Sequence, residues 1–124
     1  MDQQMRDRIQ QALKGQDARY IEIRVERSES AHVRYRGKEL EEIGRSTGVG
    51  GCVRALARGG WGFACFNDLE DLGEKVALAI RNARLVGGEP IKLAAVPPVV
   101  EVVPPALKKD PAHIGLREKK AILD

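Results

Sequence analysis

The side chains able to do chemistry are few and scattered: Cys52 and Cys65, His32 and His113, and the serines Ser28, Ser30 and Ser46. A zinc site needs two such donors at a short spacing that places them on one turn or one helix face, and none of these Cys or His residues has it. His32 falls on the polar face of an expected strand and His113 in a proline-punctuated stretch, so both read as solvated, and no metal site is predicted here. Nucleophilic catalysis needs a base and an oxyanion hole around the Ser or Cys. The serines lie in turns or at strand ends without such a motif, where capping is the better role. Gly48, Gly50 and Gly51 resemble a phosphate-cradling loop, yet that loop must open a helix, and here a strand, 52–57, follows. Glycines within a strand mark a bulge or a close backbone approach. No catalytic residue is expected.

One stretch has a binding signature. Gly60-Trp61-Gly62-Phe63-Ala64-Cys65-Phe66 reproduces most of the aromatic strand of an RNA recognition motif, with a helix after it. The basic residue expected before the glycine is Gly59, and no helix falls between Tyr20 and Trp61, where that fold requires one. Topology therefore argues against the local match, and a single-stranded RNA-binding module stands as the alternative reading. Arg24, Arg27, Arg34 and Arg36 form a basic stripe, but Glu22, Glu26, Glu29, Glu39, Glu41 and Glu42 share the same elements. Cross-strand pairing on a wet face is the expectation.

The elements that hold these residues can be read from periodicity. With 124 residues, 43% hydrophobic and 31% charged, the chain can bury one core. Aromatics are 4%, so that core must be mostly Val, Ile, Leu and Ala. Met5, Ile9, Ala12 and Leu13 make a helical stripe over 2–14, stopped by Gly15. From Tyr20 the period becomes two, giving strands at 20–26, 31–36, 40–46, 49–57 and 61–66. Gly37-Lys38 and Gly59-Gly60 supply the turns. Were the second turn centred near Arg58 and Gly59, Cys52 and Cys65 would face each other, two small buried thiols. Asn67 or Asp68 is placed to cap a second helix with the stripe Leu69, Leu72, Val76, Ile80 and Ala83, ended by Gly87-Gly88. The fold class is α+β: an antiparallel β-meander of about four to five strands with two helices packed on one face.

Residues 1–88 thus form one domain. Over 89–124 five prolines, from Pro90 to Pro105, punctuate one or two extended or edge segments that read as a linker. A helical stretch from Leu116 to Leu123 follows, without an evident cap or packing partner, and looks cut off before a further domain. The 21 basic residues are set against 18 acidic ones, a net charge of +3 that demands no polyanion. The start carries no signal sequence, and the apolar run 94–107 contains Glu101 and four prolines, which excludes a spanning helix. A soluble, cytoplasmic protein is expected.

Taken together, these residues resemble the N-terminal domain of the TldD/PmbA family, zinc peptidases also described as modulators of DNA gyrase. The resemblance runs through the strand 20–26, the turn and strand 37–42, Gly48-Val49-Gly50 with Val53-Arg54, and Trp61-Gly62-Phe63-Ala64 before Asn67-Asp68-Leu69. It continues along the helix to Leu85 and into Asp110-Pro111 with Leu116. It implies a cytoplasmic metalloprotease working as a homodimer or as a heterodimer of related subunits, with peptide or unfolded protein as substrate. Zinc would be bound by a His-Glu-x-x-x-His signature with a later Cys in a C-terminal domain. That signature does not occur in this sequence, so the segment is expected to be catalytically inert, serving dimer assembly and shaping of the cavity. Gly48, Gly50, Arg54, Trp61, Gly62, Phe63, Asn67 and Asp68 are the family-signature positions, structural or cavity-lining. Direct DNA binding is not expected, since charge and elements supply no reader helix.

Overall fold

The computed structural model describes residues 2–124. Helix α1 (Gln3–Leu13) starts at Asp2, whose carboxylate accepts from the Met5 amide at 2.8 Å, satisfying one of the free donors of the first turn. Three strands follow, β1 (Tyr20–Arg36), β2 (Glu39–Ala57) and β3 (Gly60–Phe66), then α2 (Leu72–Val86), a single 3₁₀ turn (Pro111–His113) and α3 (Leu116–Leu123). The strands form one antiparallel meander of order β1-β2-β3.

The α+β expectation holds, with a lower strand count. Two expected breaks do not occur: Ser28-Glu29-Ser30 stays extended within β1, and Thr47-Gly48 within β2. Neither stretch contains proline, and Ser30 Oγ and Ser46 Oγ lie 2.6 Å apart, which ties the two strands together where turns were expected. The hairpin turn between β2 and β3 is Arg58-Gly59, one residue earlier than Gly59-Gly60, with φ of 51° and 74°. Gly60 belongs to the strand, paired with Ala57. The second helix starts at Leu72 after Asp71 in the left-handed region, without a side-chain cap. Asp68 does not cap it: its carboxylate instead closes a turn by accepting from the Glu70 amide at 2.9 Å.

The chain divides into two compact units. The first joins the residues up to Arg27 with Gly48–Leu93. Its core lies between one sheet face and the two helices: Val53, Ala55, Ala57, Ala64 and Phe66 from the strands meet Ala12, Leu72, Val76, Ala79, Ile80 and Ala83, with Ile21, Ile23 and Val25 at the margin. Strand period two and helix period 3.6 each put these residues on one side. Val, Leu and Ile side chains buried this way contribute roughly 1.5–3 kcal/mol each. Gly60 and Gly62 lie on the same face and let α2 approach: a Cβ on Gly60 would stand 2.2 Å from the Ala83 carbonyl oxygen.

The second unit joins Ser28–Thr47, the distal halves of β1 and β2, with Ala94–Asp124. Its hairpin carries cross-strand pairs: Glu42 meets His32 at 3.1 Å and Arg34 at 3.3 Å, Arg36 meets Glu41 at 2.8 Å, and Arg45 meets Glu29 at 3.7 Å. The terminal helix does have a cap and a partner. Glu118 accepts from the Gly115 amide at 3.1 Å, Arg45 donates to the Ile114 carbonyl at 3.1 Å, and Tyr35 donates its hydroxyl proton to Asp124. Of the extended or edge segments expected in the proline-punctuated stretch, no edge strand forms: residues 90–109 belong to no helix or strand. Among the described residues no helix is long and apolar enough to cross a membrane.

Candidate functional site on the helix-free face of the sheet

Strand alternation assigns the polar and aromatic residues of the first unit to the face away from the helices. Tyr20, Glu22 and Arg24 alternate with Ile21, Ile23 and Val25. Cys52, Arg54 and Leu56 alternate with Val53, Ala55 and Ala57, and Trp61, Phe63 and Cys65 alternate with the glycines and Ala64. The register sets Leu56 opposite Trp61, Arg54 opposite Phe63 and Cys52 opposite Cys65. Leu56 is fully buried on this side, so the face has an apolar floor.

Arg54 is the hub. Its Nη2 lies 2.7 Å from Glu22 Oε2, and its guanidinium carbon stands 4.9 Å from the centroid of the Trp61 ring. Tyr20 packs edge-on against the same ring, centroids 6.1 Å apart. Glu22 also accepts from Arg24 Nε at 2.7 Å and from the Tyr20 hydroxyl at 3.1 Å. These donors, Arg24 foremost, hold the Glu22 carboxyl below its ordinary value against the opposing effect of desolvation. Arg54 Nε is buried and has no protein partner. A guanidinium held by one carboxylate and stacked on an indole still has donors to offer an acceptor. Beside it Phe63 is 57% exposed, a large apolar surface with nothing over it.

The outer edge of β3 is also open. With a two-residue turn closed by the Ala57–Gly60 pair, the alternating ladder points the backbone groups of Trp61, Phe63 and Cys65 away from β2. One of them is taken, since Asn82 Nδ2 donates to the Phe63 carbonyl at 3.1 Å. The rest of this short edge is available for strand pairing.

Of the positions expected to be family signatures, Arg54, Trp61 and Phe63 come together on this face. Gly62 lies on the opposite, helix-packed face. Gly50 is half-buried in β2, where a Cβ would stand 2.9 Å from the Phe66 carbonyl oxygen, a close approach of the kind expected for strand glycines. Gly48 is exposed in β2, and Asn67 and Asp68 are exposed in the connection before α2. Glu22 was expected only as an ion-pairing carboxylate and Tyr20 only as a strand start; alternation puts both on the side away from Ile21 and Ile23, and strand pairing brings that side to Arg54. Cys52 and Cys65 do face each other and both are free thiols, but neither is buried: Cys52 is half-buried and Cys65 exposed, because the helix-free side leaves them uncovered.

Zinc does not fit these residues. Among the described residues no three His, Cys, Asp or Glu side chains converge. His32 is engaged by Glu42, and His113 Nδ1 lies 3.7 Å from Asp110.

Residues 21–85 match the family described as PmbA/TldA metallopeptidase domain 1. Over 108 residues the chain is 40% identical to a Synechocystis protein named Metalloprotease slr0863, covering 86% of this chain and 23% of that protein. The chain thus spans about a quarter of the length of this relative. No solved structure matches it. The matched segment contains β2, β3 and all but one residue each of β1 and α2, and the chain belongs to the PmbA/TldA metallopeptidase domain 1 family.

Proposed function

We propose that this chain is the N-terminal domain of a cytoplasmic TldD/PmbA-type zinc metallopeptidase, non-catalytic in itself, whose helix-free sheet face walls the peptide cavity of the intact enzyme. The observation that carries this is the juxtaposition of the partly exposed Arg54 side chain and the exposed Phe63 beside an open strand edge. An extended peptide has the complementary chemistry: backbone groups for the β3 edge, apolar side chains for Phe63 and Trp61, and carbonyls or carboxylates for Arg54. Zinc and the chemistry of hydrolysis belong to a further domain of the intact protein. Assembly as a homodimer, or as a heterodimer with a related subunit, closes the cavity in this reading. Effects on DNA gyrase are indirect, through peptide turnover.

The test uses the intact protein that contains this chain, with an unfolded peptide as substrate. Chelator should abolish hydrolysis, and Arg54→Ala or Phe63→Ala should raise KM several-fold with metal content unchanged. Unaltered kinetics in both variants would remove the face from the cavity.

A second reading, single-stranded RNA binding, draws on the exposure of Phe63, since base stacking on such a ring is worth ~1–3 kcal/mol. Titration of Trp61 fluorescence with an oligouridylate separates the two. Saturable quenching lost in Phe63→Ala would favour RNA, and no quenching would leave the peptide reading.

A further inference from the structure

The turn end of the first unit holds a different kind of site. Arg19, Arg58 and Lys92 line a hollow of about 480 Å³, together with Gly59, Gly88, Pro90 and Ile91. No carboxylate lines it. Among the described residues none of the three cations is engaged in an ion pair. Seven of the other eleven arginines are in ion pairs, which sets Arg19 and Arg58 apart from most of them. Of the acids close to it in the chain, Asp17 is taken by Arg84 at 3.3 Å, and Glu89, exposed between Gly88 and Pro90, is not among the lining residues and forms no ion pair among the described residues.

The backbone supplies a second, independent observation. Arg58 occupies the left-handed region at φ 51°, in a turn whose two central positions favour Gly, Asn or Asp. Strain of this kind at a non-glycine residue points from geometry to function. The position is also rigid: the Arg19 amide donates to the Leu56 carbonyl at 2.9 Å, and Gly59 is packed against the Gly88–Glu89 backbone so closely that a Cβ would stand 2.2 Å from the Glu89 carbonyl oxygen. The backbone of Arg19 and of the Arg58-Gly59 turn is therefore held at one hollow, which Lys92 also lines.

We infer that this hollow binds a phosphoryl-bearing small molecule. Two guanidiniums and an ammonium suit a multiply charged anion, and the guanidinium fork matches phosphate oxygens bidentately. A lone carboxylate would neutralise one cation of three. The volume exceeds that of one phosphate, and Pro90 with Ile91 forms an apolar wall for an organic portion of the ligand.

Inorganic pyrophosphate is the probe, added to the ¹⁵N-labelled chain while backbone amide shifts are followed. Saturable shifts centred on Gly59, Gly88 and Ile91 are expected, weakened at least tenfold in Arg58→Gly and in Arg19→Gln and unchanged in Lys108→Gln. Arg58→Gly relieves the turn, so loss of binding in it cannot be ascribed to unfolding. Shifts that do not saturate, equal binding by Arg58→Gly, or equal binding of citrate would overturn the assignment.

Discussion

Gly62 of β3 lies against Ala83 of α2 so closely that a Cβ on the glycine would stand 2.3 Å from the Ala83 amide nitrogen and 2.0 Å from the Ala79 carbonyl oxygen. Both obstacles are backbone, so neither can move aside as a flexible side chain would. Gly62→Ala should therefore force α2 off the sheet at a cost of roughly 3 kcal/mol, the upper end of what overpacking a core costs. Gly15→Ala is the contrast: nothing stands within 4 Å of it, but its φ of 74° costs about 1 kcal/mol for any L side chain. Urea denaturation of both variants checks the order, and a smaller loss for Gly62→Ala would refute the close approach.

Glu22 gives the first unit a pH dependence of defined sign. Its folded carboxyl is held below the ordinary value of 4.5, by Arg24 first and then by Tyr20 and Arg54. A depressed carboxylate contributes stability that is fully present above the unfolded pKa and is lost as pH falls through the folded one. Below about pH 4.5 the wild-type chain should lose stability more steeply than Glu22→Gln, and above pH 6 the offset between them should be constant. Parallel curves across the acid range would show that the Arg24 and Arg54 contacts do not favour the charged form.

Phe63 and Trp61 are neighbours on one strand face with different expected costs. Phe63 is 57% exposed, so Phe63→Ala should change stability by less than about 1 kcal/mol, against the roughly 3–5 kcal/mol of a buried phenylalanine. Trp61 stacks with Arg54 and Tyr20 and stands opposite the buried Leu56, so Trp61→Ala should cost about 2 kcal/mol. Equal losses in the two would mean that Phe63 is covered in solution.

Much of this was legible in the sequence because alternation is a local signal. Ile21, Ile23 and Val25 against Tyr20, Glu22 and Arg24 define both faces of β1 without any knowledge of partners. The continuity of β1 through Ser28-Glu29-Ser30 was not legible, because serines suit turns and exposed strands alike, and a contact with distant Ser46 decided it. Nor was the Arg58-Gly59 turn: Gly59 and Gly60 were equivalent until the approach of α2 required a glycine at position 60. The Arg54–Glu22 contact spans separate strands, so only their pairing discloses it. Arg58 was similarly invisible, since the strain at its φ is a property of the folded turn.

Cys52 and Cys65 stand directly opposite each other across β2 and β3, and both are free. Counting back from the closing Ala57–Gly60 pair puts them at a non-hydrogen-bonded position, where opposed Cα atoms approach to about 4.5 Å. That lies within the range a disulfide spans, and the exposure of Cys65 opens the pair to a soluble oxidant. Diamide should therefore convert the chain to an intramolecular disulfide, seen as the loss of two hydrogens in the intact mass and as protection of both thiols from alkylation. Cys52→Ser should then divert oxidation into Cys65-linked dimers. If the wild-type chain gives those dimers too, with no monomeric disulfide, the side chains of the pair point apart and the cross-strand contact does not close.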